Sequence, residues 1–76
     1  MQYTLAELRA ANGLSQAKLA KHLGLAPSSI AQYETGKRTP SLETARRIAK
    51  FFAVSTDDII FGPHAHNLRP QQDLSA

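Results

Sequence analysis

A chain of 76 residues has room for one domain and no deep core, which disfavours an enzyme built around a buried pocket. It carries a net charge of +3 and no cysteine, so disulfides, thiolate zinc sites and cysteine nucleophiles are excluded. No apolar run approaches the roughly 20 residues of a membrane helix. The start Met1-Gln2-Tyr3-Thr4 has neither the basic beginning nor the apolar stretch of a signal peptide. The expectation is a cytoplasmic, cofactor-free protein.

The charge is unevenly placed. Residues 15–50 hold the cations Lys18, Lys21, Lys37, Arg38, Arg46, Arg47 and Lys50 against only Glu34 and Glu43. Beyond Phe51 the balance reverses, with Arg69 facing Asp57, Asp58 and Asp73. A basic middle fits a polyanionic partner, and it fits a solvated charged surface equally well.

Thr4-Leu5-Ala6-Glu7 has the form of a capping box, with Leu5 and Leu8 one turn apart and Asn12-Gly13 as a stop. These predict a first helix over residues 5–11. Ser15 is a good cap for a second, in which Leu19 and Leu23 make an apolar stripe before Gly24, giving residues 16–23. Only Gly24, Leu25 and Ala26 intervene before Pro27, which suits the first turn of a third helix over residues 27–34. Ala26 stands where Ser, Thr or Asp would cap better, at a cost of about 1 kcal/mol.

Thr39-Pro40-Ser41 opens a fourth helix. Leu42, Ala45, Ile48, Ala49 and Phe52 share one of its faces, and Arg46, Arg47 and Lys50 lie on the other. Ser55-Thr56-Asp57-Asp58 predicts a short fifth helix ending at Gly62-Pro63. Residues 63–76 show no period and read as a flexible tail after a domain over residues 1–62. The reading is all-α, with no alternating strand pattern.

Two short helices joined by a three-residue, glycine-bearing turn form a helix-turn-helix arrangement, although many helical domains contain such pairs. The residues say more. The run Leu14-Ser15-Gln16-Ala17-Lys18-Leu19-Ala20, then Leu23-Gly24-Leu25, then Ser29-Ile30-Ala31-Gln32-Tyr33-Glu34-Thr35-Gly36-Lys37-Arg38-Thr39-Pro40-Ser41-Leu42-Glu43-Thr44 closely resembles the lambda-repressor-like, Cro/CI or xenobiotic-response-element type of helix-turn-helix family. The resemblance runs from about Leu5 to Phe61. It implies a compact five-helix domain whose second and third helices dock on duplex DNA, as a homodimer on an inverted-repeat, palindromic operator. The implied function is sequence-specific transcriptional regulation, by a repressor that occupies its operator.

A recognition helix points its N-terminal residues at base edges in the major groove. On the third predicted helix Pro27, Ser28, Ala31 and Gln32 share one face, and Ile30 and Glu34 point the other way. The resemblance places base contacts on that same face. Gln32 is the strongest reader, because its amide can pair bidentately with adenine. Ser28 discriminates less, and Pro27 and Ala31 offer only apolar contact. With no arginine on the face, phosphate contacts and DNA shape should carry much of the recognition.

Gln16, at a helix start where backbone N–H groups favour an anion, matches a family phosphate contact. Lys37 and Arg38 follow the Gly36 stop and are placed to run along the backbone. Lys18 and Lys21 face either solvent or the DNA flank. Arg9 and Glu34 match a family ion pair that links the first helix to the end of the third. Phe51, Ile60 and Phe61 exceed what the apolar stripe needs and suggest a dimer interface through the fifth helix, unless all fold into one core.

Other signals are weaker. His64 and His66 form a His-x-His pair with no cysteine or acid at ligand spacing, so no metal site is expected. No nucleophile elbow or glycine-rich phosphate loop occurs, and no catalytic constellation is visible. Two other readings keep the same fold. One is an antitoxin that also holds a toxin through residues 62–76, and the other is a protein-interaction module that does not touch DNA.

Overall fold

A computed structural model describes residues 2–63. All of the predicted tail but Pro63, the His64-x-His66 pair and most of the segment considered for a toxin lie outside the described residues. The order of elements is β1 (Tyr3–Thr4), α1 (Leu5–Ala11), α2 (Gln16–Leu23), α3 (Pro27–Thr35), α4 (Leu42–Phe52), a 3-10 turn (Thr56–Asp58) and β2 (Ile59–Ile60).

The first four helices stand where the capping signals put them, to within a residue. Thr4 Oγ1 accepts from the Glu7 backbone N–H at 3.0 Å, and the Thr4 N–H donates to Glu7 Oε1 at 2.8 Å, which is a complete capping box. Ser15 and Ser41 accept from Lys18 N and Thr44 N and start α2 and α4. Ala26 makes no side-chain cap bond for α3, whose Pro27 has no N–H to satisfy in the first turn.

The core is the meeting of the apolar stripes. Leu5 and Leu8 of α1, Leu19, Ala20 and Leu23 of α2, Ile30 and Tyr33 of α3, Ile48 and Ala49 of α4, and Ile59 form one buried cluster. Leu5, Leu19, Ile30 and Ile48 lose essentially all solvent contact. At about 25 cal/mol per Å² of apolar surface, each contributes roughly 1.5–3 kcal/mol. Leu42 was expected on this stripe but is 62% exposed. It sits at the first position of α4, outside the core cluster.

The fifth helix does not form. Ser55 caps a single 3-10 turn, after which Ile59 and Ile60 extend and pair in parallel with Tyr3 and Thr4. Only six residues separate Ser55 from Gly62, too few to repay helix nucleation. Two adjacent β-branched residues also favour extended backbone. The pairing brings the two ends of the described chain together and seats Ile59 in the core.

Helices α2 and α4 end with the same device. Gly24, at φ +68°, carries a backbone reversal in which Leu25 N donates to Ala20 O at 2.9 Å. At the end of α4 the equivalent position is Ala53, at φ +58°, with Val54 N donating to Ala49 O at 3.0 Å. A Cβ in the left-handed region costs about 1–2 kcal/mol, and glycine avoids it. Ala53→Gly should therefore stabilise the domain by about 1 kcal/mol, which for a domain this small is a rise of roughly 4–8 °C in Tm. Thermal melting followed by circular dichroism measures it, and an unchanged or lower Tm refutes it.

Candidate nucleic-acid interface

The helix pair α2–α3 is held from three sides. From below, α1 supplies Arg9, which is one-fifth exposed, to meet the buried Glu34 of α3. Arg9 Nε donates to Glu34 Oε2 at 2.6 Å and Nη2 donates to Oε1 at 3.2 Å, a two-point grip on the carboxylate. The remaining Arg9 nitrogen, Nη1, donates to Leu14 O at 2.9 Å and so fixes the loop before α2. Hydrogen bonding to Glu34 raises the Arg9 pKa above its ordinary value, desolvation opposes this, and the charge of Glu34 adds to the rise. The ion pair read from the sequence is present.

Gln16 completes this network. Its Nε2 donates to Glu34 Oε1 at 3.0 Å, so Glu34 receives bonds from α1 and α2 together. The side chain expected at a phosphate is thus turned inward and half-buried. At the N-terminal end of α2 its neighbours Ser15 and Ala17 are exposed.

On the α4 side, Arg47 Nη2 donates to Leu23 O, at the end of α2. Its guanidinium lies over Gly24, where an added Cβ would come 3.7 Å from Nη2. A cation is well placed at a helix C-terminus, where the last carbonyls have no partner within the helix. Arg47 was read from the sequence only as part of a basic face. Its spacing gave no sign that it reaches back 24 residues.

On the third side, the loop after α3 is braced by the end of the described chain. The Phe61 ring meets Tyr33 edge-on, with centroids 6.3 Å apart. Gly36 turns the chain at φ +79°, and a Cβ there would lie in van der Waals contact with Gly62 Cα at 3.5 Å.

Between these supports α3 presents Pro27 and Ser28 fully and Ala31 and Gln32 in part. The four predicted readers do share one face, and Ile30 and Glu34 point into the domain. The only ionised side chain on α3 is Glu34, which Arg9 neutralises, so the face itself is uncharged. Exposed cations flank it, with Lys18 and Lys21 on α2 and Lys37 and Arg38 after Gly36. Arg38 is not free: its Nη1 donates to Gln32 Oε1 at 3.3 Å.

The three aromatic and aliphatic residues considered for dimerisation are dispersed. Phe51 is 40% exposed and packs against His22 and Phe52, at centroid distances of 5.3 and 5.0 Å. Ile60 lies in β2 and Phe61 against the core, both half-buried. The helix expected to carry Ile60 and Phe61 is the one that does not form. Among the described residues no group of three or more His, Asp or Glu is placed to hold a metal ion, and no helix is long and apolar enough to cross a membrane.

A family model described as helix-turn-helix matches residues 5–59, which includes all four helices together with Arg9, Gln16, Glu34 and Arg47. The chain belongs to the Cro/CI-type helix-turn-helix family of DNA-binding transcription regulators. It is not an enzyme. An HTH-type transcriptional regulator of Methanocaldococcus jannaschii is 46% identical over 59 residues, covering 78% of this chain and 89% of that protein. The HTH-type transcriptional activator BcrR of Enterococcus faecalis is 32% identical over 93% of this chain, which spans only 35% of that relative. The cryptic phage CTXphi transcriptional repressor RstR of Vibrio cholerae is 32% identical over 71% of this chain and 49% of its own length. No solved structure matches.

The Glu34 network makes a quantitative demand on this helix-turn-helix protein. Removing the guanidinium leaves a buried carboxylate with only Gln16 as partner. Arg9→Ala should cost about 3 kcal/mol, at the lower end for a broken buried pair because Arg9 is partly exposed. Adding Glu34→Leu should recover part of that loss. Urea denaturation of both variants tests the expectation. A loss below about 1 kcal/mol would mean that water satisfies Glu34 unaided.

Proposed function

We propose that this regulator acts in the cytoplasm as a homodimer on an inverted-repeat operator and represses by occupying it. The observation that supports this reading is the α3 face. An uncharged, hydrogen-bonding surface of Pro27, Ser28, Ala31 and Gln32 is braced on three sides and bordered by exposed Lys18, Lys37 and Arg38. An uncharged face can approach base edges, while cations on neighbouring elements meet the phosphates.

In this reading Gln32 is the principal reader and Ser28 the secondary one. Lys37, Arg38 and Lys18 supply backbone attraction, and the exposed end of α2 at Gln16 meets a phosphate with its amides. Two copies would set their α3 helices about 34 Å apart, one turn of duplex. Of the three residues considered for such a dimer Phe51 is the most exposed, with Ile60 and Phe61 contributing their uncovered edges. Repression asks for nothing beyond a docking surface, since an occupied operator excludes other proteins. That RstR is named a repressor agrees with this, while BcrR is named an activator.

The test separates the two kinds of contact. With a duplex chosen by selection from a random library, binding should fall steeply with salt, by about 0.9 in log–log slope per phosphate contacted. Lys37→Ala should weaken binding to every sequence alike and lower that slope by about 1. Gln32→Ala should instead relax preference at one base pair per half-site, at roughly 1–3 kcal/mol of discrimination. A Gln32→Ala protein with unaltered base preferences would show that another residue reads the groove. Selected duplexes without two-fold symmetry would remove the dimer.

A further inference from the structure

We propose that Arg38 is a specificity-determining residue that biases Gln32 toward donating, so that the pair selects guanine rather than adenine. This rests on the proposal that Gln32 faces the major groove.

The contact has a fixed chemical sense. A guanidinium has donors and no acceptor, so whatever it touches on an amide must be the carbonyl oxygen. Arg38 Nη1 lies 3.3 Å from Gln32 Oε1, which therefore fixes the rotation of the amide about its last bond. Among the described residues nothing accepts from Gln32 Nε2, and both of its hydrogens remain for a ligand.

Arg38 is placed there by more than this one bond. The left-handed turn at Gly36 brings the chain back over the last turn of α3, where Arg38 N donates to Gln32 O at 3.2 Å. The guanidinium carbon stands 6.0 Å from the centroid of the Tyr33 ring, at the outer limit of a cation–π contact. Tyr33 is itself buried and edge-packed on Phe61. Backbone and amide thus hold Arg38 against the proposed reader, and the Tyr33 ring beside it adds a third contact.

The consequence for base choice is electrostatic. Adenine shows the major groove one acceptor, N7, and one donor, the N6 amino group, whereas guanine shows two acceptors, N7 and O6. A bidentate adenine pair needs Gln32 Oε1 to accept from N6. Here one lone pair of Oε1 is already engaged, and a positive guanidinium lies beside the approaching N–H. Guanine needs two donors, and Gln32 Nε2 with the unused Arg38 N–H groups supplies them on one surface. The same net charge repels the adenine amino group and attracts guanine O6.

The experiment is selection of duplexes from a random library by the full chain and by Arg38→Ala, Arg38→Lys and Gln32→Ala, each first shown to melt cooperatively. The parent chain should require guanine at the Gln32-dependent position, by about tenfold over adenine. Arg38→Ala should shift that one position toward adenine and leave the others unchanged. Arg38→Lys, which keeps a cation able to donate to the same oxygen, should keep guanine. The proposal is overturned if the parent selects adenine there. It is equally overturned if Arg38→Ala weakens all duplexes alike with the base preference intact, which would make Arg38 a backbone cation alone. If Gln32→Ala changes no position while specific binding persists, Gln32 is not a reader, and both proposals about it fall together.

Discussion

The carboxylate of Glu34 is the point at which three helices are tied. Apolar burial drives the collapse of α1, α2, α3 and α4, but it is non-directional, and stripes of leucine and isoleucine tolerate small rotations against one another. A buried carboxylate does not. Glu34 needs Arg9 in two-point contact and Gln16 on its other side, and only one relative placement of α1, α2 and α3 provides both. Desolvating the pair takes back much of its Coulomb energy, so its importance lies less in net stability than in what it excludes. With Glu34 held inward, the opposite face of α3 is held outward, and Pro27, Ser28, Ala31 and Gln32 inherit their direction from an interaction on the far side of the helix.

The turn between α2 and α3 depends on a second constraint of the same kind. Gly24 supplies a backbone conformation that resists any side chain, and Arg47 closes over the carbonyl at Leu23. The angle between the two helices is therefore defined by a left-handed residue and by a cation from α4, not by the apolar contacts between them alone. This also explains why α4 matters to a surface it does not join. Its buried residues Ile48 and Ala49 anchor it, and Arg47 transmits that anchorage to the turn.

The local part of this structure was legible in the sequence, and the long-range part was not. Capping residues and stops act within four positions, so Thr4, Ser15, Gly24, Pro27 and Ser41 located four helices without knowledge of the fold. The fifth was misread because Ile59 and Ile60 settle by pairing with Tyr3 and Thr4, more than 50 residues away, and no local signal announces a partner at that distance. The outward face of α3 followed from helical period, and the Arg9–Glu34 pair from family resemblance. Arg47 at Leu23, Gln16 at Glu34 and Arg38 at Gln32 were hidden for one reason: long polar side chains choose their partners from whatever the tertiary fold brings within reach. Charge pattern alone assigns all such residues to the surface.

That hidden layer alters how recognition should be understood in so small a domain. If affinity came from lysines and arginines and discrimination from Gln32 and Ser28, the two could vary independently, one on the loops and one on the helix. The structure does not divide them so cleanly. Arg38 carries charge and, through Gln32 Oε1, also fixes the hydrogen-bonding sense of the adjacent amide. Under the proposed reading, strengthening or removing a cation there alters which base edge the neighbouring side chain accepts. In a domain with one uncharged exposed face on α3 and few residues on it, the proposed mode of recognition makes the loop cation part of the reader.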